Sequence, residues 1–220
     1  SQSSEPRTPC PTDGRRANSE LSKAQRLLAL KETVLECGKC GLCKGRKNVV
    51  FGSGNPDADL MFVGEAPGHE EDVQGEPFVG RAGQLLTKII EAIGLKREEV
   101  YIANVLKCRP PENRSPRGEE IVLCFPHLAK QIEIIRPKII CALGTFAAQT
   151  LLETKEPIGS LRGKFYDYPC SEQGESKGIK LLATYHPAYL LRNPNDKAKT
   201  WDDMKKIRDM LLKIKKEQEK

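Results

Sequence analysis

The stretch DLMFVGEAPGHEEDVQGEPFVG, residues 59–80, joins a short apolar run to a loop rich in glycine and acidic residues. The apolar run does not alternate with polar residues, which is typical of a strand buried on both faces of a parallel sheet. Glycine and proline end the run, and a helical pattern begins only after Gly80. An ordinary surface loop does not need Pro-Phe-Val-Gly at its end, so we infer that this loop encloses a ligand.

Three further runs have the same continuous apolar character and also predict buried strands: VYIANVLKC (100–108), KIICALG (138–144) and IKLLATYHP (179–187). Apolar residues at helical spacing separate or follow these runs, in residues 83–94, 119–135, 145–153 and from Thr200 onward. Strands that alternate with helices pair in parallel through right-handed crossovers. The sequence therefore predicts an α/β fold, a three-layer α/β/α sandwich with a central four-stranded parallel sheet.

Three local features predict where these helices begin, bend and end. Gly94 predicts the end of the first, because glycine readily adopts the left-handed conformation found there. Pro126 predicts a kink or a restart in the second, since proline removes a main-chain donor. Thr200 predicts the N-cap of the last helix, with Asp203 reaching back to it.

The chain has 220 residues, which suits one domain with some additional tail. Residues 1–18 are polar, rich in Ser, Pro and Arg, and lack apolar periodicity. They predict a disordered N-terminal tail, followed by one domain over residues 19–220. That domain begins with a short amphipathic helix from about Ser19 to Leu35.

The formal net charge is +6, from 36 basic and 30 acidic residues. Two segments concentrate the excess: residues 107–118 hold four basic residues and one acid, and residues 197–220 hold nine and five. Such patches favour a polyanion such as nucleic acid, although ordinary solvated faces would look the same. No apolar run approaches the roughly 18 residues of a membrane span. With no signal peptide visible, we expect a monomeric, cytoplasmic protein without a membrane partner.

Eight cysteines are present, and four or five of them are spaced as ligands. Cys37 and Cys40 form a C-x2-C pair that Cys43 extends, Cys108 ends the second predicted strand, and Cys124 lies on the following helix. Inside a cell this pattern favours a metal or cluster over disulfides. Four thiolates suit either zinc or an iron–sulfur cluster, and the spacing neither chooses between them nor excludes Cys43. Cys141, inside a strand, reads as a small buried hydrophobe.

The unusual segments converge on one edge of the predicted sheet. Ligands of open α/β sheets bind beyond the carboxyl ends of the strands. The acidic loop leaves the first strand at that end, and NVLKCRP (104–110) and YHPAYLLRN (185–193) leave two others. The sequence therefore predicts a functional site at this edge.

These segments carry a resemblance to a known family. GEAPGHEEDVQGEPFVGRAGQLL (64–86), YIANVLKCRPPENRSP (101–116) and HPAYLLRNP (186–194) resemble the signature regions of the family 4 uracil-DNA glycosylases, the iron–sulfur branch found in bacteria and archaea. The resemblance runs from about Cys37 to the C-terminal helix. It implies excision of uracil from DNA in base excision repair. It also implies a 4Fe–4S cluster held by the following residues, with Cys43 left out: Cys37, Cys40, Cys108 and Cys124.

The resemblance assigns recognition of the flipped base to Phe78 and Asn104. The ring of Phe78 offers a flat apolar face, and stacking a base on an aromatic ring contributes about 1–3 kcal/mol. The amide of Asn104 offers a donor and an acceptor that match O4 and N3–H of uracil and mismatch cytosine. Without the resemblance, Phe78 would read as a core residue and Asn104 as a satisfied structural polar group.

The same resemblance assigns the bond-breaking chemistry. His186 is expected to donate to O2 of uracil, where negative charge develops, an effect of roughly 2.7–4 kcal/mol for one such donor. Glu65 and the main chain of Ala66 and Gly68 are expected to form the pocket floor and position water. Glu71 is expected to crowd the C5 methyl group of thymine, and the general base is left open. The remaining histidines are expected at the surface: His69 and His127.

Contacts with DNA are expected from two kinds of side chain. Leu190 and Leu191 follow His186 and suit a wedge that fills the gap left by the flipped base, with a helix core stripe as the alternative. Four arginines are expected to contact phosphates, which position the duplex without reading its sequence: Arg109, Arg114, Arg117 and Arg192.

Three other functions fit parts of the pattern. A non-catalytic iron–sulfur module that binds nucleic acid would bind without releasing a base, yet Glu65, Phe78, Asn104 and His186 occur together. An iron–sulfur electron carrier has no use for a pocket of the size of a base. A glycosylase of broader range would also accept hypoxanthine or xanthine.

Overall fold

The computed structural model of the protein describes residues 21–168 and 178–218. The predicted tail over residues 1–18 lies outside the described residues, as do Cys10 and Cys170. In chain order the helices and strands are α1 (Lys23–Leu35), β1 (Ser53–Gly54), β2 (Leu60–Gly64), α2 (His69–Gln74), α3 (Arg81–Ala92), β3 (Tyr101–Asn104), α4 (Gly118–Ile135), β4 (Ile139–Leu143), α5 (Thr145–Leu152), α6 (Ile158–Leu161), β5 (Phe165–Asp167), β6 (Lys180–Thr184), α7 (Pro187–Arg192) and α8 (Lys197–Gln218).

The sheet has the strand order β1-β3-β2-β4-β6-β5 within the described part of the chain. Its four central strands pair in parallel, which confirms the predicted parallel sheet. The predicted count of four is wrong for the whole sheet, because β1 and β5 add antiparallel edges. These edge strands have two and three residues and are partly exposed, so they show no apolar run that a sequence pattern could reveal.

The central strands are mostly apolar because each of their faces packs against helices. In β2, Leu60 and Phe62 cluster with buried residues of α3 and α8. Met61 and Val63 cluster instead with buried residues of α1, α4 and α5. These four side chains are almost fully buried, and each contributes about 1.5–3 kcal/mol to folding. The predicted three-layer α/β/α sandwich is confirmed.

The three expectations about helix ends have different outcomes. Gly94 follows α3 with a φ of +79°, as predicted. α4, however, runs without a restart from Gly118 to Ile135 although Pro126 lies inside it. Its buried face packs on α1 and the sheet, and this packing outweighs the lost hydrogen bond.

The last helix also begins differently from the prediction. α8 starts at Lys197, after a 3-10 turn, so Thr200 is not its N-cap. Asp203 does not cap the helix either. Its buried carboxylate accepts hydrogen bonds from the Thr184 hydroxyl (2.7 Å) and from the Arg162 guanidinium (2.8 and 3.1 Å), which tie α8 to the end of β6.

The carboxyl ends of the parallel strands bring the predicted site segments together. Gly64, the last residue of β2, pairs with Asn104, the last residue of β3. His186 follows β6 by two residues and is the N-cap of α7. Within the described ranges, no helix is both long enough and apolar enough to cross a membrane.

Candidate active site and cysteine cavity

The centre of the candidate active site is Gly64, which lies between two of the predicted base-binding residues. A Cβ atom placed on Gly64 would overlap Oδ1 of Asn104 and lie 2.6 Å from Cζ of Phe78. The ring of Phe78 also lies close to that of His186, with centroids 5.6 Å apart and planes tilted by 32°. Asn104 and Phe78 therefore meet over Gly64, and His186 lies beside the ring of Phe78.

Asn104 supplies an unpaired hydrogen-bond acceptor at this centre. The residue is 2% exposed, and its Oδ1 has no hydrogen-bond partner among the described residues. A buried polar group without a partner costs about 1–3 kcal/mol of folding free energy. A ligand that places an N–H group against Oδ1 would remove that cost, so the site is ready for a donor.

Phe78 is held rigidly, in a conformation that costs energy. Its φ of +53° is left-handed, which costs on the order of 1–3 kcal/mol for a residue with a side chain. Two contacts hold it there. Gly83 packs directly on its carbonyl group, where any Cβ atom would overlap, and Arg97 donates a hydrogen bond to the carbonyl of Pro77 at 2.6 Å. The ring is therefore a fixed apolar face.

Glu71 closes the acidic loop on itself. Its carboxylate accepts hydrogen bonds from three main-chain N–H groups, those of Val79 (2.9 Å), Gly80 (3.0 Å) and Gly68 (3.2 Å). These bonds join the start and the end of the loop next to Phe78. The structure thus gives Glu71 a role in shaping the pocket, while its predicted exclusion of thymine stays a prediction.

His186 is held as a neutral donor. Its Nδ1 accepts a hydrogen bond from the main-chain N–H of Ala188 at 3.1 Å, which leaves the proton of the neutral ring on Nε2. Burial, followed by the nearby positive charge of Arg192, lowers the pKa of His186 to about 4. At neutral pH the ring therefore offers an N–H without carrying a charge.

Two residues predicted to form the pocket floor, Glu65 and Ala66, lie in different environments. Glu65 is half-buried, and burial raises the pKa of its carboxyl group above the usual range. A carboxyl group perturbed in this way, next to the last residue of β2, is a candidate for acid–base work. Ala66 packs toward the cysteine region, against a buried cluster of Leu42, Leu106 and two cysteines.

The two leucines predicted as a wedge differ in exposure. Leu190 is 1% exposed and packs inside the protein, so its prediction as a DNA contact is wrong. It belongs to the helix core stripe, because α7 packs against α3 with this residue turned inward. Leu191 is 38% exposed and remains available as a wedge.

The four arginines predicted to contact phosphates also differ in their hydrogen bonding and exposure. Arg114 donates two hydrogen bonds to the buried carboxylate of Glu120, at 2.5 and 2.9 Å, so its guanidinium is already paired and its phosphate contact stays a prediction. The pair fastens the proline-rich loop to the first turn of α4. Arg109 donates to the side chain of Asn113 at 2.7 Å in an exposed setting. Two arginines are exposed: Arg117 and Arg192.

The predicted cysteine ligands line a single small cavity. It is bounded by the turn after α1, the segment after β3 and the buried face of α4, and its sulfur-bearing residues are Cys37, Cys40, Cys43, Cys108 and Cys124. Burial raises the pKa of the Cys124 thiol to about 11 and also raises that of Cys108. Cys141 lies in the core of the sheet, as predicted.

Hydrogen-bond donors surround these sulfur atoms. Arg46 Nη1 lies 3.2 Å from Sγ of Cys108, and the main-chain N–H of Lys107 donates to Sγ of Cys124 at 3.3 Å. Such donors stabilise thiolates, the form that binds metal. Among the described residues, no group of three or more Cys, His, Asp or Glu side chains is arranged to hold a single metal ion. Five thiols in one cavity, with hydrogen-bond donors beside two of them, are a donor set that suits a bound metal group.

The prediction that His127 lies at the surface is wrong. It is 6% exposed rather than at the surface, and its Nε2 lies 3.4 Å from Sγ of Cys37. It follows Cys124 by three residues on α4, which is one helical turn, so the spacing could have revealed it. His69 is exposed, as predicted.

Comparison with known proteins agrees with this geometry. The family model described as the uracil DNA glycosylase superfamily matches residues 51–205. A type-4 uracil-DNA glycosylase of Saccharolobus solfataricus is 47% identical over 83% of this chain and 85% of its own length. The corresponding values are 46%, 80% and 89% for that of Archaeoglobus fulgidus, and 44%, 84% and 94% for that of Thermotoga maritima. The chain belongs to the type-4 uracil-DNA glycosylases.

The sequence of this type-4 glycosylase did not by itself reveal four residues around the site. Gly64 could have been found from its place at the carboxyl end of a strand, where glycine marks close approach. Lys107 and Arg46 gave no signal, since lysine and arginine are usually solvent-exposed and only the fold brings them inside. The four residues are Arg46, Gly64, Lys107 and His127.

Proposed function

We propose that this protein removes uracil from DNA by hydrolysing the N-glycosidic bond, which leaves an abasic site for base excision repair. The observation that carries the proposal is the unpaired Oδ1 of Asn104, buried beside Phe78 and His186. Uracil has an N–H group at N3 that pairs with this oxygen. Cytosine has a lone pair at N3, which would face Oδ1 and leave both atoms unsatisfied.

The pocket residues divide the reaction between them. The flipped base stacks on Phe78, and the amide of Asn104 reads its N3–H and O4. When the N1–C1′ bond breaks, its electron pair stays with the base and negative charge develops on O2 and O4. The Nε2–H of His186 stabilises the charge on O2. A neutral donor can do this without first binding a proton.

The remaining steps involve water. We propose that Glu65, with the main chain of Ala66 and Gly68, positions the water molecule that attacks C1′. The oxygen–carbon bond forms as the base leaves, and the proton lost by water balances the proton gained by the uracil anion from solvent. The raised pKa of Glu65 supports a role in handling the water proton.

Thymine differs from uracil only by the methyl group at C5. We propose that Glu71 excludes it by holding the acidic loop close to the pocket through its three main-chain hydrogen bonds. A loop fixed in this way cannot move aside for a methyl group without losing those bonds.

We also propose that a 4Fe–4S cluster binds in the cysteine cavity, held by Cys37, Cys40, Cys108 and Cys124, with Cys43 as a neighbour rather than a ligand. When bound, it supplies a cross-link between the turn after α1, the segment after β3, and α4. The donors near the sulfur atoms and the arrangement of the thiols support this group.

The side chains that contact DNA are inferred from their solvent exposure. We propose that Leu191 fills the space left by the flipped base, and that three arginines contact phosphates of single- or double-stranded DNA: Arg109, Arg117 and Arg192. The wedge and the catalytic His186 lie on one short helix, so insertion and cleavage are coupled.

The decisive experiment is base release from matched oligonucleotides that contain one uracil, thymine or hypoxanthine, in single- and double-stranded form. Protein purified without air is used, and abasic sites are revealed by alkaline cleavage. We expect cleavage at uracil alone. No cleavage by protein with its full iron content would favour the binding-module alternative, and cleavage at hypoxanthine would establish the broader range.

A further inference from the structure

A lysine is buried in the wall between the candidate active site and the cysteine cavity. Lys107 is 1% exposed and is among the largest fully buried side chains of the described protein. Burying an ammonium group is unfavourable unless it is well bonded. Its Nζ donates to the main-chain carbonyl of Asn104 at 2.9 Å and to Oε1 of Gln131 at 2.6 Å.

The main chain of Lys107 faces the other way, toward the cysteines. Its N–H donates to Sγ of Cys124 at 3.3 Å, and the next residue is Cys108. Its carbonyl accepts a hydrogen bond from Val50 N–H at 2.8 Å. Lys107 therefore contacts the base-reading asparagine through its side chain and Cys124 through its main chain, and it directly precedes Cys108.

The partner of the ammonium group is itself fixed. Gln131 is fully buried on α4, and its Nε2 donates to the carbonyl of Phe51 (2.9 Å) and to the hydroxyl of Tyr101 (3.1 Å). Lys107 thus joins Asn104 to a rigid polar network rather than to a mobile surface group. Such networks hold a single arrangement when every member is satisfied.

The chain between the two anchor points is also fixed to the pocket. After β3 ends at Asn104, the next two N–H groups donate to the carbonyls of Gly64 (2.9 Å) and Glu65 (3.0 Å). The peptide group of Asn104 is therefore held by Lys107 on one side and by its neighbours' bonds to β2 on the other. A shift of this peptide would carry the Cα atom of Asn104, and with it the side chain, away from its present place.

We propose that Lys107 is a positioning residue that fixes Asn104 for reading the uracil edge and couples it to Cys108 and Cys124. The inference rests on the proposed function, since it names what holds the base-reading group. It also gives the cysteine region a path to activity that requires no contact with DNA or with the base.

The first test is Lys107→Met, which keeps an unbranched stem and removes the ammonium group. We expect the single-turnover rate of uracil release to fall on the order of 10–100-fold, as for a small misplacement of a reacting group. The affinity for DNA with an abasic site and the iron content should stay within about twofold, because neither involves Asn104. An unchanged rate would overturn the proposal.

A double-variant cycle separates positioning from general destabilisation. If Lys107 acts through Asn104, Lys107→Met combined with Asn104→Ala is no slower than Asn104→Ala alone. If the rate decreases of the two single variants multiply in the double variant, Lys107 acts independently of Asn104, which overturns the proposal. Ile135→Ala, a fully buried change on α4 away from Asn104, is the matched control for lost stability, and its rate should match wild type well below its melting temperature.

The positioning role of Lys107 can also be tested by a measurement that does not depend on uracil release. Amide hydrogen exchange, followed by mass spectrometry on wild-type protein and Lys107→Met, should show faster exchange over residues 104–106 in the variant. Equal exchange would reject the positioning role even if wild type releases no uracil. If Lys107→Met does not fold, Gln131→Met frees one of the two anchors of the ammonium group and should change both readouts in the same direction.

Discussion

The base pocket and the cysteine cavity lie at opposite ends of one five-residue segment, from Asn104 to Cys108, and they are built differently. The pocket is formed by the chain alone, through the Glu71 hydrogen bonds and the strained Phe78, and lacks only a partner for Oδ1 of Asn104. The cavity brings five cysteine side chains together from three parts of the chain, and we propose that a bound metal group joins them. Changes in the cavity should therefore affect the fold first, and changes in the pocket should affect only the reaction.

The largest effect is expected from Cys108→Ser. Because binding of a structural metal group is coupled to folding, this variant should lose most of its iron, its brown colour and several kcal/mol of stability. Iron analysis, visible absorption and thermal unfolding measure these changes. Cys43→Ser is the matched control and should keep its iron. A zinc-containing, colourless wild type would contradict the assignment of an iron–sulfur cluster.

The pocket should respond in the opposite way, by losing rate without losing the fold. We expect His186→Asn to release uracil about 10²–10³-fold more slowly, the effect of removing one donor to a developing negative charge. Asparagine is a good N-cap residue, so α7 should stay capped and the melting temperature nearly unchanged. His69→Asn, at an exposed position, is the control. A parallel fall in melting temperature would make His186 structural.

A smaller difference is expected within α7, where one leucine is exposed and its neighbour is buried. Leu191→Ala should slow release from double-stranded DNA by roughly tenfold, since unstacking a base step costs a few kcal/mol that the wedge offsets. Release from single strands should change less. Leu190→Ala should instead lower the unfolding free energy by about 2–5 kcal/mol. Equal rates for Leu191→Ala and wild type on both substrates would show that Leu191 does not act as a wedge.

The sequence predicted those parts of the molecule that depend on local patterns. The four parallel strands follow from continuous apolar runs, and their parallel arrangement places Asn104 and His186 at one edge. The exposure of Leu190 and the partner of Arg114 could not be predicted, because both depend on which face of a helix or loop meets another element. The edge strands were missed because two or three half-exposed residues carry no periodicity.

The same limit explains what was missed between the two sites. Lys107 stands in a basic segment that favours a polyanion partner, and only the fold turns its side chain inward to Gln131. His127 reads as a surface histidine until α4 is seen to place it beside Cys37. A residue that links two sites has no signature of its own, because its role is defined by contacts distant in sequence.

The proline-rich loop offers a weaker comparison, between an exposed arginine and one that is already paired. We expect Arg117→Ala to reduce the slope of log affinity for DNA against log salt by about 0.9, the effect of one lost phosphate contact. Arg114→Ala should leave that slope unchanged and lower stability, because it leaves the buried carboxylate of Glu120 unpaired. Titrations at several salt concentrations measure both variants. A reduced slope for Arg114→Ala together with an unchanged slope for Arg117→Ala would contradict this prediction.

The smallest effect is expected from acid, because the chain already keeps His186 neutral. Since burial lowers its pKa to about 4, the folded protein does not bind a proton on this ring between pH 8 and pH 5, whereas the unfolded chain does so below about pH 6.5. Its contribution to stability is therefore constant above pH 6.5 and declines as the pH falls toward 4. Nitrogen NMR of the imidazole should show a midpoint near 4 and the proton on Nε2. A midpoint near 6.5 would mean that the ring is solvated, and the donor to O2 would then become a cation in the course of an acid titration of the rate.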